Sequence, residues 1–249
     1  MRILISPAKK MKADNEFLPH TALPRFLSEA EAIQRSLRAM TNAELQKLWK
    51  CNDAIAKVNT ERLRSMDLKC NLSPAIFAYE GIQYQHIAPA ILENFHLRFV
   101  QEHLRILSGL YGLLRPFDGV VPYRLEMQAR LSVNGKKNLY DFWGDKLANQ
   151  LACETDFILN LASREYSKAV LPYLPESVRV LTCTFGERKE DTVIEKGTLC
   201  KIARGGMVRF LAQRNITDAE DLKCFCDFGY QYDEHFSRPD HYVFTMSSK

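Results

Sequence analysis

The chain has 249 residues, 46% of them hydrophobic, which is ample for a buried core and excludes a disordered or fibrous protein. Its 34 Lys and Arg stand against 30 Asp and Glu, and the net charge of +4 says little about partners until the charges are placed along the chain. Seven cysteines, odd in number and irregular in spacing, fit reduced thiols rather than a disulfide framework.

The opening stretch, MRILISP, is too short for a signal-peptide apolar region, and no apolar run approaches the roughly 20 residues of a membrane helix. A cytoplasmic protein without membrane attachment is therefore expected. RILISP is brief and β-branched and reads as a central strand halted at Pro7. Residues 24–64 carry three helical stretches, FLSEAEAIQRSLRAM, TNAELQKLWK and CNDAIAKVNTERLRSM. Thr41 and Glu44 form a capping box at the start of the second. Residues 88–106 stay helical until Leu104, Ile106 and Leu107, where a strand is the other reading.

RPFDGVVPYRLEM, with two prolines and a glycine, reads as an ordered loop, and Asn134-Gly135 predicts a type I′ turn between alternating residues. DFILNLAS reads as a buried strand and REYSKAVLPYL as a short helix stopped by prolines. SVRVLTCTFGER and EDTVIEK read as a strand pair turning at Gly186. Residues 197–213 have helical spacing, 218–227 hold a last short helix, and the aromatic tail is strand-like. With no repeat, low-complexity tract or linker, the expected architecture is one mixed α/β (α+β) domain over 1–249.

Three stretches are locally basic: Arg2, Lys9, Lys10 and Lys12; Arg98 to Lys137, with Arg105, Arg115, Arg124, Arg130 and Lys136; and Lys201, Arg204, Arg209 and Arg214. Most such runs are solvated faces. Two features point instead to an anion cleft. Gly205-Gly206 after Arg204 costs helix stability and implies a close approach, and Lys9 and Lys10 follow a strand end, where ligand loops collect in α/β proteins. Cys224 and Cys226 with His235 and His241 do not read as a metal site, because one intervening residue is too few for a pair of zinc cysteines.

LSGLYGLLRP, residues 107–116, admits two readings. It is either a helix-hairpin-helix turn whose Gly109 and Gly112 let amides face a phosphate beside Arg115, or a buried strand that turns sharply, with glycines for packing. Two residues separate the glycines where the usual hairpin has one, and Pro116 would end a second helix at once, so spacing favours the buried turn.

LISPAKK (4–10), LRILSGLYGLLRPFDGVVPYRLEM (104–127), NLYDFWGDKL (138–147), NLASREY (160–166) and KIARGGMVRF (201–210) resemble the signature segments of the YaaA peroxide-stress family, in family order. The resemblance implies a family-specific mixed fold with a basic cleft and a helix-hairpin-helix-like element, duplex DNA binding, and a part in limiting iron-driven oxidative damage. Its segments fall on Ser6, Pro7, Ala8 and Lys9, on Tyr123, Arg124 and Glu126, on Asn160, Ser163, Glu165 and Tyr166, and on Lys201, Arg204 and Arg209, among others. The chain departs from the pattern at His86, Ile87 and Lys10 and in the final FTMSSK.

Two functions follow. One is a DNA-binding protein, monomeric and without cofactor or metal, that holds duplex or distorted DNA by its phosphates. Its expected contacts are Lys9, Lys10, Gly109, Gly112, Arg115, Arg124, Lys201, Arg204 and Arg209. The other is an enzyme acting on a nucleotide or nucleobase through Lys9 with Glu126 or Glu165. Tyr111, Tyr123 and Trp143 are either base-stacking groups or core, the latter favoured for Trp143.

Overall fold

The computed structural model describes residues 1–13 and 18–247, with Ser247 through its backbone alone. Ser248 and Lys249, the end of the atypical C-terminal stretch, lie outside the described residues.

The chain opens with β1 (Arg2–Ile5), the expected apolar strand, followed by β2 (Lys10–Met11). Three helices come next: α1 (Leu27–Arg38), α2 (Asn42–Trp49) and α3 (Asp53–Ser65). The capping box forms as its residue types dictate, with the Thr41 hydroxyl accepting from the Glu44 amide and the Glu44 carboxylate accepting from the Thr41 amide. Between α2 and α3 the chain reverses over three residues. Lys50 takes a left-handed conformation (φ 46°), and Asn52 caps α3 by accepting the Ile55 amide at 3.0 Å.

Short elements follow: β3 (Ser73–Pro74), α4 (Ala75–Ala78), β4 (Tyr79–Glu80) and α5 (Ile82–Ile87). Then come α6 (Asn94–His103), β5 (Leu104–Ser108), β6 (Gly112–Leu114) and β7 (Gly119–Val120). The last run is α7 (Leu139–Trp143), α8 (Lys146–Ala152), β8 (Phe157–Asn160), α9 (Arg164–Ser167), β9 (Arg179–Lys189), β10 (Thr192–Ile194), α10 (Gly197–Arg214), β11 (Gln231–Tyr232) and β12 (His241–Ser247).

Eight of these strands make one mixed sheet in the order β11-β12-β9-β8-β1-β5-β6, with β10 antiparallel on the end of β9. β5, β1, β8, β9 and β12 are mutually parallel, and the edge strands β6 and β11 are antiparallel. A strand buried on both faces must be apolar throughout, and Ile3, Leu4 and Ile5 of β1 are at most 1% exposed. Two short antiparallel pairs, β2 with β4 and β3 with β7, lie outside this sheet. Buried apolar side chains from the strands and the longer helices join in one continuous core.

Three expectations are decided by the fold. First, 107–116 is a β-hairpin, the buried turn that the spacing favoured, and not the helical hairpin that the resemblance implied. β5 and β6 pair through Ile106 with Leu114, Leu107 with Leu113 and Ser108 with Gly112. Gly112 sits at φ 71°, where a Cβ would lie 2.7 Å from the Trp143 ring, and a Cβ on Gly109 would lie 2.7 Å from the Leu125 carbonyl oxygen. The glycines admit the protein's own core, not a phosphate. Second, Gly186 lies within β9 against Val193 and Ile194, and the turn falls at Glu190 (φ 53°). Third, 218–227 holds a 3₁₀ turn, Glu220–Cys224, rather than an α-helix.

The Asn134-Gly135 turn is present, with φ of 49° and 77° and reciprocal backbone bonds between Val133 and Lys136. It joins a single bridge rather than two strands. Gly205 and Gly206 lie in mid-helix where α10 meets the Gln83 backbone of α5 and the Phe228 ring, so the close approach they permit is helix packing.

Candidate functional site

The winding of the sheet singles out one place. From β1 the chain crosses to β5 on one side, then returns to β8 on the other side of β1 and moves away through β9 and β12. Ligand crevices of open α/β sheets lie beyond the carboxyl ends of strands where the winding reverses, here those of β1 and β8. Ser6 leaves β1 and Ser163 leaves β8, and the two are tied together. The Ser163 amide donates to the Ser6 Oγ at 2.9 Å, and that hydroxyl reaches the Ser163 Oγ at 3.2 Å.

This clasp sets the positions of Lys9, three residues beyond Ser6, and Glu165, two beyond Ser163. The Lys9 Nζ lies 2.9 Å from the Glu126 Oε1, and an Arg124 nitrogen lies 3.8 Å from the same oxygen. Glu165 accepts the Gln128 amide at 3.2 Å, and its carbonyl accepts the Tyr140 hydroxyl at 2.9 Å. Burial lifts the Glu165 carboxyl above its ordinary range, and the Glu126 charge adds to the rise, while the Gln128 amide and Lys9 oppose it. The cluster therefore places a carboxyl that keeps its proton to higher pH beside a carboxylate and an ammonium. That is the makings of proton transfer.

Beneath the cluster lies a chain of hydroxyls. The Tyr79 and Tyr123 hydroxyls are hydrogen-bonded at 2.8 Å, Tyr123 meets the Ser108 Oγ at 2.7 Å, and the Ser108 Oγ accepts the Tyr111 amide at 2.9 Å. The Tyr84 hydroxyl donates to the Ser6 carbonyl at 3.1 Å. Burial pushes the Tyr123 hydroxyl up to about 12, so it stays a neutral hydrogen-bonding post. These buried rings fix the loops that carry Lys9 and Glu126.

Glu126 and Gln128 also line a cavity of about 530 Å³. Its apolar wall is Met40, Leu48, Trp49 and Ala129. Its rim carries Lys47 and Lys50, on either side of the end of α2, together with Arg130 and with Glu44, whose carboxylate accepts from the Thr41 amide and hydroxyl. All three cations are exposed, and none has a carboxylate partner among the described residues.

The residues nominated from sequence thus fall into groups. Lys9 and Arg124 converge on Glu126. Lys10 is 3.0 Å from Glu80 on the β2–β4 pair. Arg115 lines a separate polar hollow with Arg105, Asp118 and Glu154. Arg204 reaches Glu195 at 3.5 Å, and Lys201 and Arg209 stand elsewhere on α10. Gly109 and Gly112 are buried in the β5–β6 hairpin. Tyr111, Tyr123 and Trp143 are 0%, 5% and 0% exposed, and the Trp143 indole donates to the Gly109 carbonyl at 3.2 Å, so all three are core. Among the described residues no three His, Cys, Asp or Glu side chains gather as a metal set. No helix there is long and apolar enough to cross a membrane.

Sequence reading missed Lys47, Lys50 and Trp49, and counted Arg130 in a basic stretch without nominating it as a contact. Lys47 and Lys50 stand one turn apart at a helix end, a weak signal, and nothing in one dimension placed Arg130 beside them.

A family model described as peroxide stress protein YaaA matches residues 1–236. The chain belongs to that family. Curated relatives in it carry the name UPF0246 protein. The one from Lachnoclostridium phytofermentans is 51% identical over 98% of this chain and 96% of its own length. Those from Desulfitobacterium hafniense and Pediococcus pentosaceus are 49% and 47% identical, each over 99% of this chain and 98% of their own lengths. The peroxide-stress family therefore spans the strand ends, the carboxylate cluster and the cationic rim alike.

Proposed function

We propose that this chain acts in the peroxide stress response as a cytoplasmic, monomeric DNA-binding protein, holding duplex or distorted DNA by its phosphates and limiting iron-driven damage to the strand it covers. The observation that carries the reading is the meeting of Lys47, Lys50 and Arg130 on one rim without carboxylate partners among the described residues. Four of the seven cations first nominated face an acid instead: Lys9 and Arg124 have Glu126, Lys10 has Glu80 and Arg204 has Glu195.

The element closest to a helix-hairpin-helix is α2 with α3, joined through Lys50–Asn52, rather than 107–116. Its turn offers the amino end of α3 and the Lys50 ammonium to a phosphate. Contacts of this kind position a backbone and carry no base information, so binding is expected to be nearly independent of sequence.

The test is fluorescence anisotropy with a labelled duplex. Affinity falls at least tenfold between 50 and 200 mM salt, the response expected when several phosphates release counterions. The triple variant Lys47→Glu, Lys50→Glu, Arg130→Glu loses most of the remaining affinity, while Lys201→Glu with Arg209→Glu loses little. A salt-insensitive duplex affinity, or equal losses in the two variants, refutes the reading.

A further inference from the structure

The cavity between α2 and the 126–130 segment has features that a phosphate-backbone site does not need. Its volume of about 530 Å³ falls within the range of small-molecule pockets, and one wall is apolar and partly aromatic. A strand held by its phosphates would leave that wall empty. The indole N–H of Trp49, a residue only 4% exposed that lines the cavity, has no acceptor among the described residues. Nor has the Nε of Arg124, whose other nitrogen reaches the Trp49 carbonyl at 3.4 Å. Buried donors without partners are rare in folded proteins, and one of these two belongs to a side chain of the cavity wall.

We propose that this cavity binds a free nucleoside monophosphate, with the base against Met40, Leu48 and Trp49, the phosphate on Lys47, Lys50 and Arg130, and the base edge read by Glu126 and Gln128. The inference shares its rim cations with the backbone-binding reading and rests on it there, but the apolar wall and the Glu126–Gln128 pair belong to the nucleotide alone.

Complementarity supports the assignment. A flat heteroaromatic ring with an anionic tail matches an apolar wall bordered by unpaired cations. Glu126 is held as an acceptor by Lys9, at 2.9 Å, and burial lifts the carboxyl of neighbouring Glu165 above its ordinary range. Gln128 bridges the two, its amide on Glu165 at 3.2 Å and its side chain 3.5 Å from Glu126. The Gln128 side-chain amide as donor beside the Glu126 carboxylate as acceptor matches the paired edge of a nucleobase, which inorganic phosphate lacks.

Isothermal titration and tryptophan quenching test this with the four common ribonucleoside monophosphates and with inorganic phosphate as separate probes. At least one nucleotide is expected to bind at least 100-fold more tightly than phosphate and to quench emission, and Trp49→Phe is expected to abolish the quench. Glu126→Gln weakens the nucleotide about tenfold without lowering duplex affinity, with circular dichroism and the retained duplex binding showing that it folds. Absence of nucleotide binding at millimolar concentration, or phosphate binding as tightly as the nucleotide, overturns the inference. Should duplex DNA still bind in that case, the backbone reading stands alone. Nucleotide binding by a protein that ignores duplex DNA has the opposite meaning, upholding the pocket and removing the strand.

Discussion

Replacing Gly112 by alanine separates a structural glycine from a phosphate-binding one. At φ 71° an alanine pays about 1–2 kcal/mol for the left-handed conformation. Its Cβ would also stand 2.7 Å from two Trp143 ring carbons and 2.8 Å from the Leu147 side chain. Trp143 cannot simply retreat, because it is wholly buried, its N–H is bonded to the Gly109 carbonyl, and Phe26 packs edge-on against it at 5.7 Å. Overpacking of this kind costs about 1–3 kcal/mol more. A total near 3 kcal/mol corresponds to a fall of roughly 6–12 °C in Tm for a chain of this size. Urea titration followed by Trp143 emission, in a Trp49→Phe background, measures it. A phosphate contact would instead lower DNA affinity at unchanged stability. A loss under 1 kcal/mol with unaltered emission refutes the packing argument.

Two further stability predictions follow from local chemistry. Thr41→Ala removes the capping box of α2 and costs about 1 kcal/mol in urea unfolding, whereas Thr41→Ser retains most of it. Asp118 is 4% exposed, its carboxylate accepts the Arg115 amide at 2.8 Å, and burial pushes its carboxyl up to about 6, against the pull of that amide and of Arg115 and Arg105. The folded state then holds the proton more tightly than the unfolded one. The cost of ionising Asp118 is small at pH 4, grows through about pH 4–6 and is complete above that, reaching about 3 kcal/mol at ~1.4 kcal/mol per unit. Asp118→Asn keeps an acceptor for the Arg115 amide, so it gains stability over the parent at pH 8 and little at pH 4. Equal differences at both pH values would contradict this.

Much of the fold was legible because its signals are local. The β-branched run at 2–5, the Thr41–Glu44 box and the Asn134-Gly135 turn each specify their conformation within a few residues, and each appears where expected. The glycines misled for the opposite reason. What a glycine admits comes from a distant segment: Trp143 for Gly112, Leu125 for Gly109, the α5 backbone for Gly205 and Val193 for Gly186. A glycine in sequence marks that something approaches, and only the fold says what.

The same asymmetry governs the site. Lysine and arginine in a row announce positive charge, but a charge is available to a ligand only if the fold brings no carboxylate to it, and the partners of Lys9, Lys10 and Lys146 come from far along the chain at Glu126, Glu80 and Glu29. Lys47 and Lys50, unremarkable in sequence, and Arg130, one of many cations in a basic stretch, line the same cavity. The resemblance segments proved more informative about position than about charge: LISPAKK and NLASREY supply Ser6 and Ser163, whose mutual hydrogen bonds close the crevice at the reversal of the sheet. That clasp makes Lys9, Glu126 and Glu165 neighbours, and a trio of groups so joined is better suited to handling a proton than to adding positive charge. Glu126→Gln should therefore not lower duplex affinity, since it removes a negative charge that neutralises Lys9 and that is bonded to none of the rim cations.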